Sequence, residues 1–73
     1  MQSEGQVLRS LAARIKELRK EKNWSQETLA ERAHLHRTYI AGIESGSRNP
    51  SLRSLIKIAN AFRVRVGDLL SDG

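Results

Sequence analysis

Residues 25–46, SQETLAERAHLHRTYIAGIESG, constrain the fold more than any other stretch, because they leave room for two short helices and a tight turn and for little else. Ser25 is a good N-cap, and Glu27 in the turn after it suits the positive end of a helix dipole. A helix over Gln26 to Ala33 then turns Leu29, Ala30 and Ala33 inward, and Ala30 is small enough for a second helix to cross close by. His34-Leu35 forms the turn. A further helix runs to about Ser45 on two large aliphatic anchors, Ile40 and Ile43, and Gly46 is a natural terminator.

The rest of the chain reads as more helix. Residues 1–5 (MQSEG) are expected to be a flexible start. Leu8, Leu11, Ile15 and Leu18 recur with the spacing of an amphipathic stripe, which predicts a first helix from about Gln6 to Lys22. Asn23 and Trp24 break that pattern. Beyond Gly46, residues 47–50 make a loop and Ser51 caps a fourth helix beginning at Leu52. That helix carries Leu52, Leu55, Ile56, Ile58, Ala59 and Phe62, an arc of roughly 160° against the ~100° that one core contact requires. Val66 to Leu70 form a short last helix. With no strand signal, residues 6–73 are expected to be one compact all-α domain of five helices, near the lower size limit for an autonomous core.

Composition removes several kinds of function. Without cysteine there is neither a disulfide framework nor a thiolate metal site. His34 and His36 are two apart, so on a helix they would not face each other, and no metal or other cofactor is expected. No apolar run approaches the ~20 residues that span a bilayer, and the cytoplasm is the expected location. Glu27, Glu31, Glu44 and Asp68 form no evident dyad and no nucleophile is paired with a base, so no catalytic residue is assigned. A domain this small also has little space for an effector pocket. Thirteen Lys and Arg against eight Asp and Glu leave a net charge of +5, and nine of the thirteen are arginine. The guanidinium fork binds paired oxygens bidentately, which suits phosphate.

Two short helices joined by a tight turn make the helix-turn-helix pattern, in which one helix lies across the phosphate backbone and the next enters the major groove. A mid-helix glycine costs about 1 kcal/mol relative to alanine, so Gly42 asks for a reason. A helix lying against base edges needs small residues for close approach, which Ala41 and Gly42 supply. It also needs hydrogen-bonding side chains: Arg37 can bind guanine O6 and N7, and Thr38 can donate to a base or touch a thymine methyl. Taken singly, Arg37 also reads as a solvated surface arginine and Gly42 as a packing accommodation.

The same stretch resembles the helix-turn-helix of the phage-repressor-like (Cro/cI, XRE-type) family. HRTYIAGIESGSRNPSLRSLIKIANAF is similar to the small controller proteins of restriction–modification systems, with their R-x-Y-I-x-x-I-E, glycine, then R-N. The resemblance covers about residues 7–70 and implies a lambda-repressor-like fold with the helix-turn-helix at about 25–45. It also implies that Arg37, Thr38 and Tyr39 read bases, although half-buried packing is an equal alternative for Tyr39. Ser25 and Gln26 would hold a phosphate at a helix start. Ser45, Ser47, Arg48 and Asn49 would grip the DNA backbone, joined by His36 at the start of the third helix. Arg19 and Glu44 match a pair that fixes the recognition helix. Two positions depart from the family. His34 stands where a glycine or asparagine usually supplies φ > 0, and His36 stands where controllers often have an aspartate cap.

One such domain buries only about 600–1,000 Å² on DNA, so a symmetric dimer reading two half-sites is expected. Ile56, Ile58, Val64, Val66 and Leu69 are the candidate dimer face; a single core that absorbs them all is the alternative. The expected function is therefore a sequence-specific regulator of transcription, a homodimer on an inverted-repeat operator in double-stranded DNA, with no membrane partner and no small-molecule effector. A restriction–modification controller that regulates its own expression fits, as does a plain repressor of a mobile element or chromosomal operon. The antitoxin of a toxin–antitoxin pair remains from another class, although the closing LLSDG offers no extension for binding a toxin.

Overall fold

The computed structural model of the protein describes residues 1–70, so the last three positions of the expected domain lie outside the described residues. These residues form five helices and no strand: α1 Glu4–Glu21, α2 Gln26–Ala33, α3 Arg37–Glu44, α4 Leu52–Phe62 and α5 Val66–Leu70. The architecture is the all-helical one expected. α1 begins two residues ahead of the expected Gln6, because Ser3 and Gln6 close a capping box. Ser3 Oγ accepts from the Gln6 N–H at 3.1 Å, and Gln6 Oε1 accepts from the Ser3 N–H at 2.8 Å. Ser3 is thus the N-cap of α1, and Glu4 and Gly5 lie in its first turn.

Four helix ends use one device. After α1, α2, α3 and α4 a single residue turns left-handed, and the N–H beyond it reaches back to the carbonyl five residues earlier, which satisfies groups the helix would orphan. The bonds are Trp24 to Arg19 and Leu35 to Ala30 at 2.9 Å, and Ser47 to Gly42 and Val64 to Ala59 at 3.0 Å. Gly46 does this at φ 79°, but Asn23, His34 and Arg63 do it at 57–60° with side chains present. The backbone that the helix-turn-helix turn requires is therefore adopted by a histidine. Of the residues following these turns, Trp24, Leu35 and Val64 pack against the core. A left-handed non-glycine residue stores on the order of 1–2 kcal/mol, and glycine's extra chain entropy offsets about half of that. Arg63→Gly is expected to stabilise the protein by about 0.5–1 kcal/mol, read as a raised urea midpoint; an unchanged or lowered midpoint would deny strain at that turn.

The core is one cluster: Leu11, Ile15 and Leu18 of α1, Leu29, Ala30 and Ala33 of α2, Ile40 and Ile43 of α3, Leu55, Ile58, Ala59 and Phe62 of α4, and Leu69 of α5. Trp24 stacks on Phe62 with ring centres 5.3 Å apart, and the Arg32 guanidinium lies 4.7 Å over the indole.

This packing corrects the expected dimer face. Ile58 and Leu69 are both 0 % exposed, enclosed in the protomer's own core and out of a partner's reach. α4 packs against α2 and also against α5, so the width of its apolar arc serves two neighbours in the same chain rather than one neighbour and a second copy. Val64 and Val66 are half-buried against the core as well. Ile56 stays 43 % exposed, and the apolar side chains of Leu52 and Leu70 lie open with it.

Candidate nucleic-acid interface

α3 is aimed by a lock at its far end. The Glu44 carboxylate, only 4 % exposed, receives the Arg19 guanidinium edge-on: Nε donates to Oε2 at 2.9 Å and Nη2 to Oε1 at 3.0 Å. Arg19 Nη1 donates to the Trp24 carbonyl at 2.9 Å, and Gln26 Nε2 donates to Glu44 Oε1 at 3.1 Å. One carboxylate thereby joins α1, the start of α2 and the end of α3. The hydrogen bonds to Glu44 push the Arg19 pKa up, against burial, with the carboxylate's charge adding to them. The expected Arg19–Glu44 pair is present. Gln26 gives one N–H of its carboxamide to Glu44, and the amide nitrogen carries a second donor. What the start of α2 keeps for an anion is the unpaired N–H groups of its first turn and its dipole, with Ser25 Oγ engaged as the cap of Thr28 N–H at 3.0 Å.

From that fixed helix Arg37 and Thr38 project exposed. His36 precedes them, exposed and in extended backbone; it occupies the N-cap position without a side-chain cap bond, as the loss of a carboxylate there implies. Tyr39 turns partly inward. Its hydroxyl accepts from the Ser51 N–H at 3.2 Å, and the Arg48 guanidinium lies 5.1 Å from its ring centre. Hydrogen bonding by the Ser54 hydroxyl and by Ser51, with the Arg48 charge, holds the phenol below the ordinary tyrosine range despite its burial. The packing alternative for Tyr39 thus describes its ring, which acts as the platform for Arg48.

Gly42 answers to the same pair. A Cβ there would meet Arg48 Cβ at 3.2 Å and Arg48 Nε at 3.5 Å. The glycine makes room for an arginine of its own chain, as the packing alternative has it. The Gly42 carbonyl also gathers the loop: it accepts from the Ser47 and Arg48 N–H groups at 3.0 and 3.1 Å and from the Ser45 and Ser47 hydroxyls at 3.0 and 3.3 Å. A hydroxyl has one proton to donate. The Ser45 and Ser47 hydroxyls lie 2.9 Å apart, so their two protons are shared among three contacts, two to the Gly42 carbonyl and one between the serines. They shape the loop, and the cation it presents is Arg48, with Asn49 exposed beside it. A depression of about 440 Å³ opens between the α2–α3 turn and the Arg48–Tyr39 pair, bringing His34, His36, Thr38 and Arg48 around one concavity.

Gly42→Ala separates the two roles of this glycine. Alanine gains about 1 kcal/mol of helix propensity, while its Cβ shifts Arg48. Unfolding stability is expected to hold or rise while affinity for duplex DNA falls several-fold. Equal affinity would show that the seat of Arg48 is irrelevant to binding.

Sequence reasoning missed two contacts. Gln26 to Glu44 has no local signal. Arg37 Nε lies 3.7 Å from Glu27 Oε1, linking the first turns of α3 and α2; Glu27 was legible only as a dipole partner.

A short helix locked at its C-terminus, with Arg37 and Thr38 exposed at its start and a buttressed arginine in the loop beyond, defines the reading unit of a helix-turn-helix DNA-binding protein. The helix-turn-helix family model matches residues 15–69, most of the chain, and the protein belongs to that family of DNA-binding transcription regulators. It is 48 % identical over 58 residues to the control protein C.BamHI of Bacillus amyloliquefaciens, covering 78 % of this chain and 72 % of that one. It is 40 % identical over 63 residues to the immunity repressor of Bacillus phage phi105, covering 86 % of this chain but only 44 % of the repressor's length. Among solved structures it is similar to the restriction–modification controller C.AhdI of Aeromonas hydrophila, at TM-score 0.82 and 42 % identity over 85 % of this chain and 94 % of that one. C.Esp1396I bound to a 19-base-pair DNA duplex matches at TM-score 0.78 and 40 % identity, over 86 % and 84 % of the two chains. The resemblance to repressor-like and controller proteins is therefore supported from both sequence and fold.

Proposed function

We propose that the protein is a sequence-specific regulator of transcription that binds an inverted-repeat operator in double-stranded DNA as a homodimer. We propose further that it acts in the cytoplasm in the manner of a restriction–modification controller, governing its own expression. The observation that carries this is the locked α3 with Arg37 and Thr38 exposed, beside Arg48 seated on Tyr39 and Gly42. It sets base-reading groups next to a backbone-gripping cation, the division of labour that specific DNA recognition needs. The match to controllers over most of their length favours autoregulation, while the likeness to a phage repressor keeps plain repression as the second reading. No described helix is long and apolar enough to cross a membrane.

With Ile58 and Leu69 enclosed, the dimer face we propose is Ile56, Val64 and Val66, extended by the exposed Leu52 on α4 and Leu70 on α5. Selection of duplexes from a random pool tests both parts. A dimeric regulator enriches an inverted repeat with half-sites about one helical turn apart, and its affinity falls with salt along a log–log slope set by several released counterions. An unenriched pool would reject operator binding and leave the antitoxin alternative, with a protein as the main ligand. Sedimentation as a monomer at every concentration, with or without operator, would reject the dimer.

A further inference from the structure

We propose that Glu27 is a positioning residue that sets DNA specificity by holding Arg37, rather than one of several surface carboxylates. This rests on the regulator reading above and adds a residue to it. Arg37 is the first residue of α3, so its charge stands at the positive end of that helix, where a cation is disfavoured. Nothing on its own helix offsets this: the first turn of α3 has no acid and His36 makes no cap bond. Among the described residues, the carboxylate within ion-pair distance comes from another helix, Glu27 of α2, 3.7 Å from Arg37 Nε, with both side chains more than half exposed.

The choice of nitrogen matters. Guanidinium has five N–H donors, and a pairing through Nε leaves the two terminal nitrogens free to point outward. Those are the two that reach guanine O6 and N7 together. Glu27 can therefore stay on Nε while Arg37 reads a guanine. An unrestrained arginine at the same place would follow any phosphate within reach. The carboxylate opposes that in two ways: Arg37 must abandon it to swing to the backbone, and its own charge repels phosphates of every sequence. Its repulsion is blind to sequence, whereas its hold on Arg37 benefits only the duplex that offers the right base. A surface pair of this kind contributes little to folding, so its effect belongs to recognition.

The test compares parent, Glu27→Gln, Arg37→Ala and the double variant on the selected duplex and on one altered at the base pair that Arg37→Ala relaxes. Glu27→Gln is expected to tighten binding to the altered duplex about threefold without tightening the selected one to the same degree. The ratio between them then falls by up to about threefold, at the lower end of the span that one bidentate base contact supplies. In the Arg37→Ala background the same change should tighten both duplexes equally, which a purely structural role would not produce. An unchanged ratio, or the same ratio change with and without Arg37, overturns the proposal. So does an Arg37→Ala variant that relaxes no position. A parent that enriches no duplex overturns the regulator reading as well; a selective parent with an indifferent Glu27→Gln overturns this proposal alone.

Discussion

Glu44→Ala is expected to remove about 3–5 kcal/mol of stability, the range for stripping one partner from a buried ion pair. A domain of this length has about 4–11 kcal/mol in all, so the variant should be largely unfolded or within reach of it at moderate denaturant. The magnitude follows from what stays behind. Arg19 would keep its bond to the Trp24 carbonyl but lose the carboxylate that receives two of its nitrogens, and Gln26 would lose its acceptor. Replacing both charges, Arg19→Met with Glu44→Leu, should lose clearly less than Glu44→Ala alone, because no charge is then stranded. Urea unfolding of the single and double variants decides this. If Glu44→Ala loses under about 1 kcal/mol, the pair is acting as an ordinary surface bridge. The refolded double variant should still bind DNA more weakly than the parent, because its α3 is no longer tied to α1 and α2.

Legibility in the sequence followed the range of the interactions. Ser25, Ser51 and Gly46 act within one turn of their own helices, and the starts that the serines predict for α2 and α4 and the stop that Gly46 predicts for α3 agree with the structure to within a residue. Ser3 is the same kind of signal, closing a capping box with Gln6 at the start of α1. Arg19 and Glu44 are 25 residues apart and were legible only because a family resemblance paired them. What stayed hidden depended on how helices face each other. The apolar arc of α4 gave its width but not its neighbours, α2 and α5, so it did not show that Ile58 is fully buried within its own chain. Gly42 gave its smallness but not its beneficiary, since Arg48 returns to it by a loop whose course no periodicity describes. The serines of that loop also reach the Gly42 carbonyl, a contact that their spacing alone does not reveal.

Arg37→Ala and Arg48→Ala are expected to weaken operator binding by comparable amounts and in different ways, and the difference identifies what each arginine does. Arg37 leaves α3 more than half exposed and, among the described residues, is paired with Glu27 alone. If it binds a guanine, its loss removes about 1–3 kcal/mol of discrimination per half-site at one base position. In a symmetric dimer that is about 2–6 kcal/mol for the operator, while binding to random duplex changes little. Arg48 is held over the Tyr39 ring and above Gly42, a seat that fixes where its charge lies and keeps it at the loop rather than on the face of α3. A charge so placed meets phosphate, and phosphate carries no sequence. Arg48→Ala should therefore lower affinity for every duplex by a similar factor and reduce the log–log salt slope by about one per protomer, with base preferences retained. Tyr39→Phe tests the platform separately. It keeps the ring under Arg48 and removes the hydroxyl that accepts from Ser51, so it should reproduce little of the Arg48→Ala loss. If Arg48→Ala instead relaxed a base position and left the salt slope unchanged, the two arginines would have exchanged roles, and the reading edge of the protein would lie in the loop beyond α3 rather than at its start.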